Sequence, residues 1–158
     1  MAALVAARAA PGFPVYKGAG AGETCTAWGT YALTSTITAV APDTIDFCRL
    51  PAGARVIGGF FQGQDIDAGT GVFEMDIGYP TNGSDVADPD AFLNSGAING
   101  TALTNYFAVS GFQLPFSGML ATGPILLARE TIVQGTVIVA PNSFAAARLT
   151  VDVHYLCE

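Results

Sequence analysis

The sequence has few basic side chains. Its 158 residues include six Lys and Arg against 13 Asp and Glu, for a net charge of -7. Lys17 is the one lysine and the arginines are scattered, so no basic patch is available to neutralise a row of phosphates. We therefore expect no direct binding to nucleic acid.

Long apolar runs and cysteine pairs are also missing. No stretch approaches the ~18 apolar residues that cross a bilayer, and the start of the chain lacks the basic region of a secretory signal. We expect a protein made in the cytoplasm, with no membrane partner. The three cysteines lie far apart without a Cys-x-x-Cys pair, which indicates neither a disulfide framework nor a zinc site. We interpret them as small apolar residues in or near a core.

Charge of either sign is scarce. Charged residues make up 12% of the chain and hydrophobic residues 51%, whereas about 25% of an ordinary soluble domain is charged. The rest of the surface must therefore be uncharged polar side chains, backbone, or apolar area that something else covers. This composition favours a subunit of an assembly.

The chain divides by composition into an arm and one domain. Residues 1–22 are mostly Ala, Gly and Pro, which is typical of an extended linker and not of a core. We expect this segment to be an extended N-terminal arm that lies on a neighbouring molecule. Residues 23–158 are of a size for a single domain.

Strand patterns dominate this domain. In its last segment, apolar and polar residues alternate from Ala147 to Tyr155, as in a strand with one buried face. The expected strands cover residues 28–40, 44–50, 54–62, 71–79, 105–110, 118–128, 130–139 and 144–157. Many short strands separated by Gly, Pro, Asn and Asp turns predict an all-β fold, an antiparallel β-sandwich of jelly-roll type.

One short helix is expected within the turn-rich region that follows the strand at 71–79. Asp88 has the side chain of an N-cap, Pro89 suits the first helical position, and Gly96 follows the end. The sequence therefore predicts a helix over residues 89–94.

Few residues favour chemistry. His154 is the only histidine and shares a strand face with Asp152, but no Gly-x-Ser-x-Gly motif accompanies them. Asp65 and Asp67 are spaced like the ligands of a calcium loop, yet the loop's glutamate is missing, and we interpret them as a hairpin connection. We expect neither an enzyme, nor a cofactor, nor a resident metal.

Residues 44–157 resemble a group of small virion proteins of tailed bacteriophages, which are capsid decoration (cement), head-fibre or minor structural proteins. The likeness is carried by residues 44–50, 51–56, 65–70, 73–78 and 88–93 and by the last strand, 149–155. The resemblance implies a β-sandwich at the capsid surface of the virion that strengthens the shell, commonly as a homotrimer. Its partners would be the major capsid protein and further copies of itself.

Two sets of residues are candidates for binding partners. Phe13 and Tyr16 are the aromatics of the arm, and with Pro14 and Lys17 we expect them to anchor it to the capsid. The strand face that carries Arg148, Asp152 and His154 is the candidate subunit interface.

Two other functions remain open from the sequence. The first is a head-fibre or tail-associated virion protein with the same sandwich. The second is a carbohydrate-binding β-sandwich, for which Trp28 and Tyr31 would supply an aromatic platform.

Overall fold

The computed structural model of the chain describes residues 2–16, 18, 22–34, 41–64, 66, 73–94, 112–141 and 145–157. Strands dominate this part of the chain, beside one four-residue α-helix and one turn of 3-10 helix at Ala7–Ala9. The strands and the helix are β1 (Ala3–Val5), β2 (Thr24–Leu33), β3 (Thr44–Leu50), β4 (Ala54–Gly63), β5 (Glu74–Tyr79), β6 (Asp88–Leu93), β7 (Phe112–Pro115), α1 (Met119–Thr122), β8 (Ile125–Leu126), β9 (Thr131–Val139) and β10 (Ala147–Cys157).

The strands form a jelly roll. One sheet has the order β1-β3-β9-β5-β6, and the other has the order β2-β10-β4-β7 with β8 paired to β4. Apart from β1 and β8, the strands pair as nested antiparallel partners, β2 with β10, β3 with β9, β4 with β7 and β5 with β6. A long hairpin rolled into two sheets has this pairing. The predicted all-β sandwich is confirmed.

The core lies between the two sheets. Every second residue of β10 from Ala147 to Tyr155 is at most 3% exposed, as the alternation predicts. Large side chains from both sheets meet there, for example Phe47 of β3 and Phe61 of β4, whose rings pack edge to face with centroids 6.4 Å apart. Burial of one face of each sheet therefore holds the sandwich together.

The two sheets approach most closely at one side of the sandwich, where β2 and β3 run near each other. Gly29 of β2 lies against the backbone of β3, and a Cβ at this position would overlap the carbonyl group of Phe47. A glycine is therefore required at position 29 for the sheets to close on this side.

The predicted helix at 89–94 is wrong, because residues 88–93 form strand β6 at the edge of a sheet. Phe92 is fully buried and stacks on Phe116 with ring centroids 5.4 Å apart, so burial outweighs the local capping signal at Asp88. Pro89 fits an edge strand because its missing N–H need not join a ladder.

The expected strand at 118–128 is also wrong in its first half. This region holds the short helix α1, which ends at Gly123 with φ +74°, and only then the two-residue strand β8. Glycine reaches this left-handed conformation at little cost and therefore stops the helix here.

Within the part of the chain that the structure describes, no helix has the length and the apolar composition of a membrane span.

Most remaining strand expectations agree within a few residues. The segment at 44–50 has the bounds predicted, and 54–62 and 130–139 differ by one residue at one end. Strand β2 begins at Thr24, before the expected start at residue 28. The expected strand at 105–110 lies outside the described residues.

The N-terminal segment, residues 2–16, packs against the sandwich of its own chain. Strand β1 pairs in parallel with β3, with Ala3 opposite Thr44. The Ala2 N–H donates to Oδ1 of buried Asp43 at 2.6 Å, and the Ala6 N–H donates to the Asp46 carbonyl at 2.8 Å. The segment thus covers the edge of β3, while contact of the arm with a neighbouring molecule stays a prediction.

Candidate interaction surface

Aromatic side chains from the N-terminal segment and from β2 gather at one place. Arg8, Phe13, Pro14, Tyr16 and Trp28 surround a cleft of about 50 Å³, and we call these five residues the aromatic surface. Three of them, Phe13, Pro14 and Tyr16, are anchors expected from the sequence. Lys17, the fourth expected anchor, lies outside the described residues.

Arg8 holds the centre of the aromatic surface. Its guanidinium carbon lies 3.7 Å from the ring centroid of Trp28 and 5.1 Å from that of Phe13. A cation over the face of an indole is attracted by the negative charge of the ring face. Arg8 therefore binds the N-terminal segment to the outer face of β2.

Two further contacts position the backbone of the segment. The Tyr155 hydroxyl donates to the Tyr16 carbonyl at 2.9 Å, and burial raises the pKa of Tyr155, so this hydroxyl keeps its proton. Arg49 donates from Nη1 to the Pro11 carbonyl at 3.0 Å and forms an ion pair with Glu130. The segment is therefore held at both ends of the aromatic surface.

The rings of this surface remain in contact with water. Tyr16 is 58% exposed although its backbone is bonded to the sandwich, and Trp28 is 44% exposed although Arg8 covers one side. Large aromatics held on a fixed backbone contribute much contact area at little cost in conformational entropy. This geometry suits docking to another protein.

The residues expected at a subunit interface lie on the outer face of the second sheet. Nε2 of His154 is 3.7 Å from Oδ1 of Asp152, and the ring of Phe60 meets that of His154 edge to face at 5.9 Å. Arg148 is exposed on the same strand, and its N–H donates to the Gln64 side chain. These residues form a polar strip along β10.

The strand register brings the two candidate sets together. Asp152 lies opposite Trp28, and His154 lies opposite Thr26, where β10 pairs with β2. The expected arm anchors and the expected interface residues therefore border each other on one side of the molecule. The two sets lie near opposite ends of the sequence, so the sequence alone did not indicate that they would be neighbours.

His154 contacts a carboxylate and an aromatic ring. The carboxylate belongs to Asp152 and the ring to Phe60. Cys157 points to the opposite face of β10 and packs against the core. The arrangement offers a polar pair for recognition.

The candidate metal ligands Asp65 and Asp67 lie outside the described residues. Within the described residues, no group of three or more His, Cys, Asp or Glu side chains could hold a metal ion.

Asp88 and Asp90 border a cleft of about 450 Å³ beside α1. Burial and the neighbouring Asp90 raise the pKa of Asp88, so this carboxyl holds its proton more tightly than a free one.

The aromatic platform expected for a sugar ligand is not formed. Tyr31 packs against the core from the inner face of β2, whereas Trp28 lies on the outer face under Arg8. The two rings therefore do not share a surface.

The contact between Arg8 and Trp28 was not expected from the sequence, which assigned Arg8 to no site and Trp28 only to a sugar platform with Tyr31. Arg8 stands in a run of alanines and Trp28 in a strand, and neither has a motif around it. One arginine and two aromatics stand out in a segment made mostly of small residues. This composition is compatible with a cation-π contact but does not show which aromatic ring the arginine meets.

Comparison with known proteins gives matches in structure and none in sequence. No protein-family model matches the chain, and no curated protein matches it. A chain in the capsid of Ralstonia phage GP4 superposes with a TM-score of 0.77 at 16% identity, covering 99% of this chain and 99% of that chain.

Two further phage capsids contain a similar chain. In the cyanophage Pam1 capsid asymmetric unit the TM-score is 0.64 at 20% identity, with 94% of this chain and 95% of that chain covered. In the acid-stable capsid of Helicobacter pylori bacteriophage KHP30 the TM-score is 0.52 at 11% identity, with 86% and 94% covered. At these identities, the matches establish a shared fold.

Proposed function

We propose that this protein is a bacteriophage capsid decoration (cement) protein that binds the outer surface of the head shell and stabilises it without catalysis. The observation that carries the proposal is the match over 99% of both chains to a chain of the Ralstonia phage GP4 capsid. The matched chain of that capsid therefore has the same fold as this chain and nearly the same length. The resemblance of residues 44–157 to small virion proteins of tailed bacteriophages, a group that includes decoration proteins, favours the same role.

The composition and the aromatic surface support binding to other subunits. With 12% charged residues, the chain has little charge to keep apolar area in water. Each 100 Å² of apolar area covered contributes up to ~2.5 kcal/mol before the costs of association, so contacts made to several neighbours add up. We propose that the aromatic surface faces the major capsid protein and that the strip along β10 contacts further copies of this chain.

The test of the role has two parts. Quantitative peptide mass spectrometry on purified virions gives the number of copies relative to the major capsid protein. Deletion of the gene then shows whether shells form without this chain. We expect hundreds of copies per virion and intact shells in the deletion, which lose stability to heat and regain it when purified protein is added.

Other results would assign other roles. A few to tens of copies would identify a head-fibre or tail-associated protein, and failure of the deletion to form shells would identify a shell-building subunit. Absence from the virion would contradict the phage role altogether. We do not propose carbohydrate binding, because Arg8 covers Trp28 and Tyr31 faces inward.

The test of the surface uses the add-back assay. Tyr16→Ala and Trp28→Ala remove the exposed rings, and each should weaken binding to undecorated shells at least ~10-fold, as for a central interface aromatic. Leu120→Ala is the matched control, because Leu120 is 88% exposed on α1 and does not border the aromatic surface. Equal affinity of all three variants would contradict the assignment of this surface.

A further inference from the structure

Two cysteines from opposite ends of the sequence meet at one end of the second sheet. Cys25 near the start of β2 and Cys157 at the end of β10 have their Sγ atoms 3.7 Å apart. The register pairs Cys25 with Tyr155, so Cys157, two residues further on, lies on the same face. Both are free thiols, and the sequence analysis assigned them only a packing role.

Two glycines that precede β2, Gly18 and Gly22, contact Cys157. The Gly18 N–H donates to Sγ of Cys157 at 3.1 Å, and the Gly22 N–H donates to the Cys157 carbonyl at 3.1 Å. A Cβ on Gly18 would lie 2.9 Å from Oε2 of Glu23, 3.0 Å from Sγ of Cys25 and 3.4 Å from Sγ of Cys157, so a larger residue fits here only if the Glu23 and Cys25 side chains shift. Gly18 therefore lies against the two sulfur atoms.

The two thiols differ in access to solvent. Cys25 is 4% exposed and its S–H points to the Glu23 carbonyl, at a sulfur–oxygen distance of 3.6 Å, whereas Cys157 is only partly buried on the last residue of β10. Burial, followed by the contact with Cys157, raises the pKa of Cys25. A dissolved oxidant therefore reaches Cys157 first.

We propose that Cys25 and Cys157 are an oxidation site that forms an intramolecular disulfide by exchange with a small disulfide oxidant such as oxidised glutathione. The sulfur atoms must approach by about 1.6 Å to reach the ~2.05 Å of a disulfide bond. Cys157 ends its strand, so rotation of its side chain and a small shift of the strand end bring them together. The proposal concerns the chemistry of the chain and does not rest on the proposed function.

The exchange proceeds in two balanced steps. The Cys157 thiolate attacks one sulfur of oxidised glutathione, the glutathione disulfide bond breaks, and one glutathione leaves as a thiolate that takes up a proton. The Cys25 thiolate then attacks Sγ of Cys157 and displaces the second glutathione. Two cysteine thiols are oxidised, and one glutathione disulfide is reduced to two glutathione thiols.

The resulting bond would join β2 to β10. It closes a loop between residues 132 positions apart, which contains the strands from β3 to β9 but not β1. Closing so long a loop lowers the entropy of the unfolded chain, and in the chain-entropy model a loop of this length raises the melting temperature of a domain of this size by about 10 °C.

The experiment equilibrates the folded full-length chain with excess oxidised glutathione at pH 8 and counts free thiols after denaturation. We expect the number of free thiols to fall from three to one. Intact mass should decrease by about 2 Da for the two hydrogens lost. Peptide mapping without reductant should link the peptides of Cys25 and Cys157, and the melting temperature should rise and return on reduction.

Cysteine variants test the order of reaction. Cys25→Ala should stop at a single glutathione adduct on Cys157, and Cys157→Ala should leave Cys25 unmodified because it is buried. Cys48→Ala is the matched control: Cys48 is fully buried in the core, burial raises its pKa to about 12, and its removal should leave disulfide formation unchanged.

Three results would overturn the proposal. Three free thiols in the folded protein after equilibration would show that the pair cannot close. A disulfide between two chains, or one that includes Cys48, would assign the oxidation elsewhere.

Discussion

Arg8 acts as the link between the N-terminal segment and the sandwich. Its guanidinium group packs on the face of Trp28 and near Phe13, while the segment around it is built of small residues with little area to bury. Arg8 therefore adds a cation-π contact to the burial of Ala6 and Ala9 in this part of the segment.

The first prediction removes this contact. Arg8→Ala should lower the free energy of unfolding by about 1 kcal/mol, the usual size of a partly exposed cation-π contact. Trp28 is the only tryptophan, so its fluorescence reports the site directly, and quenching by acrylamide should increase. Arg129→Ala loses the same charge from an exposed arginine bonded to Ser84 and should leave Trp28 quenching unchanged. Equal quenching of Trp28 in wild type and Arg8→Ala would contradict the contact.

Asp88 is the residue from which we expect a pH effect. Burial and the adjacent Asp90 raise its pKa above the ordinary value of 3.8. The folded chain thus binds this proton more tightly than the unfolded chain, so stability is lost as the pH rises through the raised pKa. Below pH 3.8 the carboxyl is protonated in both states and the contribution to stability is fully present.

The second prediction replaces this carboxyl by an amide. Asp88→Asn should raise the melting temperature at pH 7 by about 2 °C, a small shift because water screens a partly exposed carboxyl. The difference from wild type should shrink as the pH falls below about 4. Thermal unfolding between pH 3 and 8 measures it, with Glu74→Gln on β5 as the control for net charge. A difference that is constant over this pH range would refute the assignment.

At the scale of elements, β6 shows why a local signal can mislead. An N-cap residue followed by proline favours a helix start whenever nothing else competes. In the fold, Phe92 and Leu93 are fully buried and residues 88–93 pair with β5, which a helix at this position would prevent. The free energy gained from burial and pairing exceeds that of one helix cap, which is about 1 kcal/mol.

The contact between β2 and β3 gives the third prediction. Gly29→Ala places a methyl group on the Phe47 carbonyl and should lower the free energy of unfolding by about 3 kcal/mol, because backbone cannot move aside as a flexible side chain can. Gly58→Ala in β4 is the control, since a Cβ there meets nothing within 4 Å. Chemical denaturation of both variants provides the measurement, and equal losses of stability would disprove the argument.

At the scale of the whole molecule, one side carries both candidate contact surfaces. Trp28 lies opposite Asp152 in the second sheet, so the aromatic surface continues into the polar strip of β10. A subunit that touches the shell with one surface and its copies with the adjoining one would sit around a symmetry axis. This placement is compatible with the homotrimer that the sequence resemblance implies.

The fourth prediction concerns the assembly state. Native mass spectrometry of the purified chain at micromolar concentration should give a species of three times the monomer mass. Asp152→Arg should reduce this species to monomer, because a longer side chain of opposite charge replaces the carboxylate beside His154 and removes the charge complementarity of the proposed interface. Glu74→Arg on the other sheet makes the same charge change and serves as the control. A monomeric wild-type chain would contradict the trimer.

Much of the fold could be predicted from the chain alone. Alternation of apolar and polar residues in β10 and the runs at β3, β4 and β9 predict strands, because a half-buried strand repeats every two residues. The prediction that Phe13 and Tyr16 anchor the arm also came from composition, since they are the aromatics of a segment made mostly of small residues. Low charge indicated a subunit of an assembly.

What the sequence by itself determined is therefore the class of fold, the positions of the longer strands and the residues that stand out in the N-terminal segment. The tertiary structure alone decided that β1 pairs with β3, that Arg8 lies on Trp28 and that Cys25 meets Cys157. Local periodicity depends on neighbours along the chain, whereas these contacts depend on strand order and register. Burial of the whole core sets that order and register, and no short stretch of sequence contains that information.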